Sequence, residues 1–328
     1  MARAVLMGDP SHFHIVGGGN PFTRNWWGKR KSVNKQKAIE QWHGLARYLT
    51  DNGVTVFVVP PHPQNPGLVY PANAGFLSQL EEKMPIQQKK FVLSNLLPSR
   101  AGEMPVYREF LNGLGFNVVT IRPRFEGEAE LFPTNGEYVF TYGGVVKQRF
   151  VPKVAVPPWK RVYGFRTERT SLQELRPFLG TGAVHDFELQ LESHYHGDTV
   201  FCSFGERREN LLAYLEGLAP ESRDRFQKVF GDRVVPLSTR DAFFYAANSY
   251  QIRTPGGLKL IIPQGASEEL MKEIQGRGVT PIPIDVSEFL KKGGGAVKCM
   301  IGDLGELIDD PAKVTPAVTE FRSRHLYK

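Results

Sequence analysis

A chain of 328 residues, 41% hydrophobic and 23% charged, is composed like a soluble globular protein with enough apolar material for one large core or two ordinary domains. No apolar run reaches bilayer-spanning length, and two cysteines cannot build a disulfide framework, so an integral membrane protein and a disulfide scaffold are excluded. The formal charge of +7 raises nucleic-acid binding, but the basic residues are mostly dispersed.

The start of the chain, Met1 to Pro10, is too short and too quickly polar for a secretory signal. A cytoplasmic protein is therefore expected, in the compartment where a reactive thiol stays reduced. The main basic cluster runs from Arg24 to Lys37, with Lys29-Arg30-Lys31 at its centre and Trp26-Trp27 beside it. Basic residues interleaved with aromatics can grip a single strand. No nucleic-acid motif accompanies them, so a solvated surface is the favoured reading and a nucleic-acid partner is not expected.

A pattern then recurs five times: a helix-like stretch ends at a glycine and a short apolar run follows. Ile39 to Leu49 carries Ile39, Trp42, Leu45, Ala46 and Leu49 on one helical face, and leads through Gly53 into Val54–Val59. Val106–Leu114 leads through Gly115 into Val118–Ile121, and Leu172–Leu179 through Gly182 into Phe187–Leu189. Asp224–Phe230 leads through Gly231 into Val234–Leu237, and Leu270–Ile274 through Gly278 into Pro281–Ile284. A glycine after each helix is the expected left-handed stop. Without a composition break or linker, these units point to a single domain, a closed pseudo-repeated α/β arrangement. No Gly-x-Gly-x-x-Gly turn or phosphate loop supports a doubly wound sheet.

Three clusters could carry chemistry. In Glu126-Gly127-Glu128-Ala129-Glu130, strand-like alternation puts the three acids on one side, where they raise one another's pKa unless a cation sits among them. A solvent-facing strand edge is the bland alternative. In His194-Tyr195-His196-Gly197-Asp198-Thr199, an extended backbone sets His194, His196 and Asp198 on one face, and Cys202 continues the alternation. That spacing keeps a metal site open, although Cys202 reads better as core. The third cluster is Gly293-Gly294-Gly295-Ala296-Val297-Lys298-Cys299. Its glycines let backbone approach a ligand, and an adjacent lysine favours the thiolate. A thiolate needs a proton-transfer partner, for which His196 is the best candidate, and the partner needs an orienting acid.

Taken in order, these motifs resemble the guanidino-group-modifying enzymes of the pentein superfold: arginine deiminases, dimethylarginine dimethylaminohydrolases and amidinotransferases. The similarity is greatest to the arginine dihydrolase-like branch. Its elements are matched by Asn20-Pro21, Pro71-Ala72-Asn73-Ala74-Gly75, Gly164-Phe165-Arg166-Thr167, Tyr195-His196-Gly197-Asp198-Thr199 and Ala247-Asn248-Ser249. The resemblance implies an α/β fold, a five-bladed pseudo-symmetric α/β propeller of ββαβ units forming one catalytic domain over 1–328.

It also implies Cys299 as nucleophile, His196 as general acid/base and Glu126 as the acid that orients His196. Asp198 and Asn73 would engage the guanidinium, Arg166 a substrate carboxylate, and Asn20 and Asn248 would join them at the substrate site. No metal or organic cofactor is implied; the partner is a small guanidino compound, and a homo-oligomer stays open. Two departures bear on the substrate. Leu93 to Pro98 has Asn and Leu where the branch is arginine-rich, leaving Arg100 as the nearest substitute, and the second acid is displaced to Glu128 or Glu130. Free arginine is thereby disfavoured. Hydrolysis is the leading expectation, with amidino transfer to an amine and a non-catalytic binding protein as rivals.

Overall fold

The computed structural model describes residues 3–15, 20–25, 27, 29–144, 149–152, 159–290 and 294–308. Expectations that touch Met1, Trp26 and Gly293 lie outside these residues. In the first unit, strand β1 (Arg3–Gly8) feeds helix α1 (Lys35–Asp51), which returns to β2 (Thr55–Val59), parallel to β1. The Asn34 side chain caps α1 by accepting from Lys37 N. Ala38, Trp42, Leu45, Ala46 and Leu49 form its buried stripe against Val5, Val56 and Val58. Gly53, at φ 81°, then turns the chain into β2.

Four more units repeat the plan, each with an added strand at the front. The second is β3 (Gly75–Leu77), β4 (Lys90–Leu93), α2 (Glu103–Gly113) and β5 (Asn117–Thr120). The third is β6 (Leu131–Thr134), β7 (Glu137–Tyr142), the inserted hairpin β8 (Arg149–Pro152) and β9 (Trp159–Val162), α3 (Ser171–Leu175) and β10 (Val184–Glu188). The fourth is β11 (Phe201–Phe204), β12 (Asn210–Ala213), α4 (Pro220–Phe230) and β13 (Val234–Pro236). The fifth follows a short helix, α5 (Thr239–Phe243), with β14 (Tyr250–Thr254), β15 (Gly257–Pro263), α6 (Glu268–Gly276) and β16 (Val279–Ile284).

In these four units the first two strands are antiparallel, and the helix crossover makes the last strand parallel to the second. The first unit obtains its missing front strand from the far end of the chain. β17 (Gly302–Glu306) runs antiparallel to β1, with Arg3 opposite Glu306 and Leu6 opposite Gly302. Among the described residues the result is five three-stranded sheets and one two-stranded hairpin, closed by the pairing of the two chain ends. This is the closed, pseudo-repeated α/β arrangement that the recurrence predicts, in the five-bladed form that the resemblance implies.

Apolar clusters fill the space between sheets and helices, and they bridge neighbouring units. Phe187 of β10, Phe201 of β11 and Phe226 of α4 pack together, with the Phe201 and Phe226 rings stacked 4.6 Å apart. The helices begin two to four residues before the predicted starts in four units, and the third unit differs in its ending. Its helix proper ends at Leu175, and the left-handed residue is Gly180 rather than Gly182, because a turn at Arg176–Phe178 intervenes. Among the described residues no helix is long and apolar enough to cross a membrane.

Candidate active site

Each front strand is entered through a tight turn, and these turns meet at one end of the propeller axis. Three are short 3-10 turns: Pro71–Asn73 before β3, Gly127–Ala129 before β6 and Gly197–Thr199 before β11. The other two are the segments before β14 and β17, turned by hydrogen bonds from Asn248 N to Tyr245 O and from Met300 N to Ala296 O. Backbone so short and so buried leaves polar groups that side chains must satisfy, and the turns accordingly carry Asn73, Glu126, His196, Asp198, Asn248 and Cys299. Gly127 is required here: at φ 73°, a Cβ would lie 2.5 Å from Ala72 O, so only glycine lets the Glu126 turn pack on the Asn73 turn.

Cys299 and His196 open onto the same cavity of about 370 Å³, which Asn20, Asn73, Glu126 and Arg166 also line. Gly295 makes this geometry fit, since a Cβ there would lie 2.5 Å from the Tyr70 ring and 3.0 Å from Cys299 Cβ. Asp198 and Asn248 stand behind the sulfur rather than in the cavity wall. Cys299 Sγ donates to Asp198 Oδ2 at 3.2 Å and accepts from Asn248 Nδ2 at 3.1 Å. Asn248 Oδ1 in turn accepts from the amides of Ala296 and Cys299, clamping the loop that presents the thiol.

Burial, and then the Asp198 carboxylate, push the Cys299 thiol well above its usual range. The expected help from Lys298 is absent. Its ammonium lies 2.8 Å from Glu128 Oε1 and donates to Ile301 O, because the turn directs consecutive side chains to opposite sides.

His196 Nε2 is 2.9 Å from Glu126 Oε2, with both side chains buried. Burial alone would raise the Glu126 carboxyl, but the His196 hydrogen bond and charge, with Arg100 and Arg166, hold it down to about 2. An ionised Glu126 can only accept, so the Nε2 facing it carries the proton. Replacing Glu126 with glutamine keeps the shape and removes the charge. The expected result is a fall in kcat of ~10²-fold or more with KM little changed, read by steady-state kinetics; a wild-type kcat would remove Glu126 from its orienting role.

The other two acids do not share a strand face with Glu126, because this segment is a 3-10 turn. Glu128 faces away, pairing with Lys298 and accepting from Asp303 N at 2.7 Å; burial pushes its carboxyl up to about 7 against the pull of Lys298. Glu130 accepts from Gly197 N at 3.1 Å and from the Thr141 hydroxyl, and burial pushes it well up. A solvent-facing edge is equally overturned: all three acids are buried.

His194 also leaves the expected arrangement. It ends a separate turn, with Nε2 3.2 Å from Ala242 O and its ring against Tyr214 and Tyr245, where burial lowers it to about 4. Cys202 is core, its thiol donating to Ser249 O at 3.5 Å. Among the described residues no group of three or more His, Cys, Asp or Glu side chains is arranged to hold a metal ion. Within the basic cluster, Lys29 and Arg30 are exposed, and Trp27 is 85% exposed.

Several contacts in the cavity escape a reading of the sequence. Arg100 binds Glu103 through two hydrogen bonds of 2.9 and 2.7 Å, and donates to Asn73 Oδ1 at 2.8 Å. The Asn73 carbonyl, expected to face the substrate, is thus already engaged by a guanidinium of the chain itself. An Arg-x-x-Glu pair at the start of a helix reads as a solvated ion pair, which hides this. Tyr195, between the two histidines, donates to Gly294 O and accepts from Asn20 Nδ2, while the Arg166 guanidinium lies 4.8 Å over its ring. Arg161, from β9, completes the mouth of the cavity.

No family model matches the chain. It is 27% identical over 297 residues to the N(G),N(G)-dimethylarginine dimethylaminohydrolase of Mycobacterium tuberculosis, covering 90% of this chain and 84% of that protein. It is also 27% identical over 312 residues to the bifunctional arginine dihydrolase/ornithine cyclodeaminase AgrE of Nostoc sp. strain PCC 7120, covering 93% of this chain and 38% of that longer protein. A solved variant of the N-terminal domain of ArgZ, covalently bound to a reaction intermediate, superposes with a TM-score of 0.76 at 23% identity, over 94% of this chain and all of that one. The propeller is therefore a pentein, and the chain is an enzyme. Over nearly its whole length it is similar to guanidino-group-modifying enzymes, the arginine dihydrolases among them.

Proposed function

We propose that this protein hydrolyses a small guanidino acid at its central carbon, with Cys299 as nucleophile, and that the whole chain acts as one catalytic domain. The observation that carries the reading is the convergence of the Cys299 thiol and the Glu126-paired His196 imidazole on one cavity, with the Asp198 carboxylate behind the sulfur. The names of the similar proteins support the substrate class: one is a dimethylarginine dimethylaminohydrolase and another an arginine dihydrolase.

The chemistry follows from charge. A guanidinium is a poor electrophile because its cation is delocalised. When it is bound in the cavity in front of the sulfur, with Asp198 behind, its positive charge would offset the burial that keeps the thiol protonated. Sγ then bonds to the guanidino carbon to give a tetrahedral adduct. His196 supplies the proton with which the amine departs, as the C–N bond breaks. Water attacks the resulting amidino-thioether, giving up a proton to His196, and expulsion of Sγ completes the cycle. Arg166 and Arg161 sit where an anionic end of the substrate would lie, which favours a guanidino acid over a simple guanidine.

The test is turnover of a panel: arginine, its N-methylated forms, shorter guanidino acids and decarboxylated arginine, with mass detection of products and of adducts on Cys299. A released amine or ammonia and a new ureido product support the proposal. A new guanidino product formed only when an amine such as glycine is added would replace hydrolysis by transfer. Arg166→Ala is expected to raise KM at least ~10-fold for carboxylate-bearing substrates and far less for decarboxylated arginine. Equal losses would remove the carboxylate role.

A further inference from the structure

The active cavity is not the largest in the molecule. One of about 590 Å³ lies at the opposite ends of the same strands, lined by Arg3 at the start of β1, Glu306 at the end of β17 and the hairpin residue Arg208. Beside it lies a small chamber of about 40 Å³, lined in part by Glu128, Asp198, Lys298 and Asp303. It adjoins the larger cavity, since Pro133, Arg208 and Gln251 line both. Asp198 belongs to the chamber through its position and to Cys299 through Oδ2; its buried Oδ1 accepts no hydrogen bond from a described residue.

This arrangement bears on a proton that the reaction has to move. Attack requires Cys299 to lose its proton, and the acceptor in contact is Asp198 Oδ2. Asp198 must also be anionic to hold a guanidinium. It can do both only if the proton leaves it, and a bound substrate blocks the front. The chamber has room for about three waters at the ~10–15 Å³ each requires, and among its largely apolar walls Glu128, Asp198, Lys298 and Asp303 offer them hydrogen-bond partners.

We propose that the chamber is a rear proton relay, in which the thiol proton passes from Cys299 through Asp198 and intervening water to the Glu128 carboxylate, and from there to solvent in the opposite cavity. The step is a transfer only: the S–H bond breaks, an O–H bond forms on Asp198, and one proton is shed from Asp198 to water and taken up by Glu128. Glu128 acts through Asp198 and is a positioning and relay residue, without contact to substrate. Lys298 and Asp303 flank it, and Arg3 and Arg208 face Asp303, so its surroundings are balanced between both charges. Burial places its titration close to neutrality, suited to taking and releasing a proton there.

The inference rests on the hydrolase reading above and is tested on the full chain with whichever panel member turns over. Glu128→Gln keeps the hydrogen-bonding shape and cannot take up a proton; Glu128→Asp can. The expected result is a kcat at least ~10-fold lower in E128Q with KM within about twofold, a larger solvent deuterium isotope effect, and loss of the fall in kcat below about pH 7. E128D should restore most of kcat. An unchanged kcat and pH profile in E128Q would overturn the relay and leave the hydrolase reading standing. So would a loss that tracks the fall in Tm and is not restored by E128D. Failure of the wild-type protein to turn over any guanidine would remove both.

Discussion

Replacing Cys299 with serine is expected to lower kcat by at least ~10³-fold on every guanidino substrate while leaving the protein folded. The reason is acidity rather than shape. A thiol buried beside Asp198 is already hard to ionise, and a hydroxyl, several pKa units weaker as an acid, is out of reach of any charge a bound guanidinium brings. The serine oxygen can still accept from Asn248 Nδ2 and donate to Asp198 Oδ2, so the loop keeps its clamp and stability should change by less than about 1 kcal/mol. Steady-state kinetics, the denaturation midpoint and intact-protein mass under turnover check the three parts. The adduct should appear on the native protein and vanish in C299S; undiminished turnover in the variant would end the thiolate mechanism.

Asp303→Asn should have the largest effect on stability, about 3–5 kcal/mol at neutral pH. Asp303 lies on the strand that closes the ring, where its carboxylate pairs with Arg3 of β1, Oδ1 at 3.0 Å from Nε, and Arg208 approaches to 3.7 Å. Burial alone would raise this carboxyl, yet Arg3, with Arg208 and Lys298, holds it down to about 2. A folded value below the unfolded ~3.9 means that the stabilisation is complete above about pH 5 and is lost as pH falls through about 2. D303N should therefore differ most from wild type at pH 7 and converge on it in strong acid. Urea denaturation at pH 7, 4 and 2.5 reads this directly, and a gap that stays constant with pH would refute the assignment.

The repeat architecture was legible in the sequence because it is written in local terms. An amphipathic stripe such as Trp42-Leu45-Ala46-Leu49 specifies a helix and its buried face, although Ala38 takes the buried place expected of Ile39, and Gly53, Gly115, Gly231 and Gly278 mark the turns where φ becomes positive. The resemblance of short motifs then indicated which chain positions face the axis. Cys299, His196 and Glu126 do share one cavity, although they come from three different units.

Side-chain destinations inside those turns were not legible. Extended alternation set His194 with His196 and Asp198, and the three glutamates together. In the folded chain, 3-10 turns separate them, and each goes to whatever neighbour the fold supplies: Ala242 O for His194, Lys298 for Glu128 and Gly197 N for Glu130. Likewise Lys298, beside Cys299 in the chain, sends its charge to the opposite side of the turn, and Arg100 reaches inward to Asn73. The sequence by itself determined the units, their order and the residue types at the axis, since these depend on chain neighbours and burial periodicity. Only the tertiary structure decided which buried charge meets which, because near a propeller axis the partners come from turns far apart in the chain.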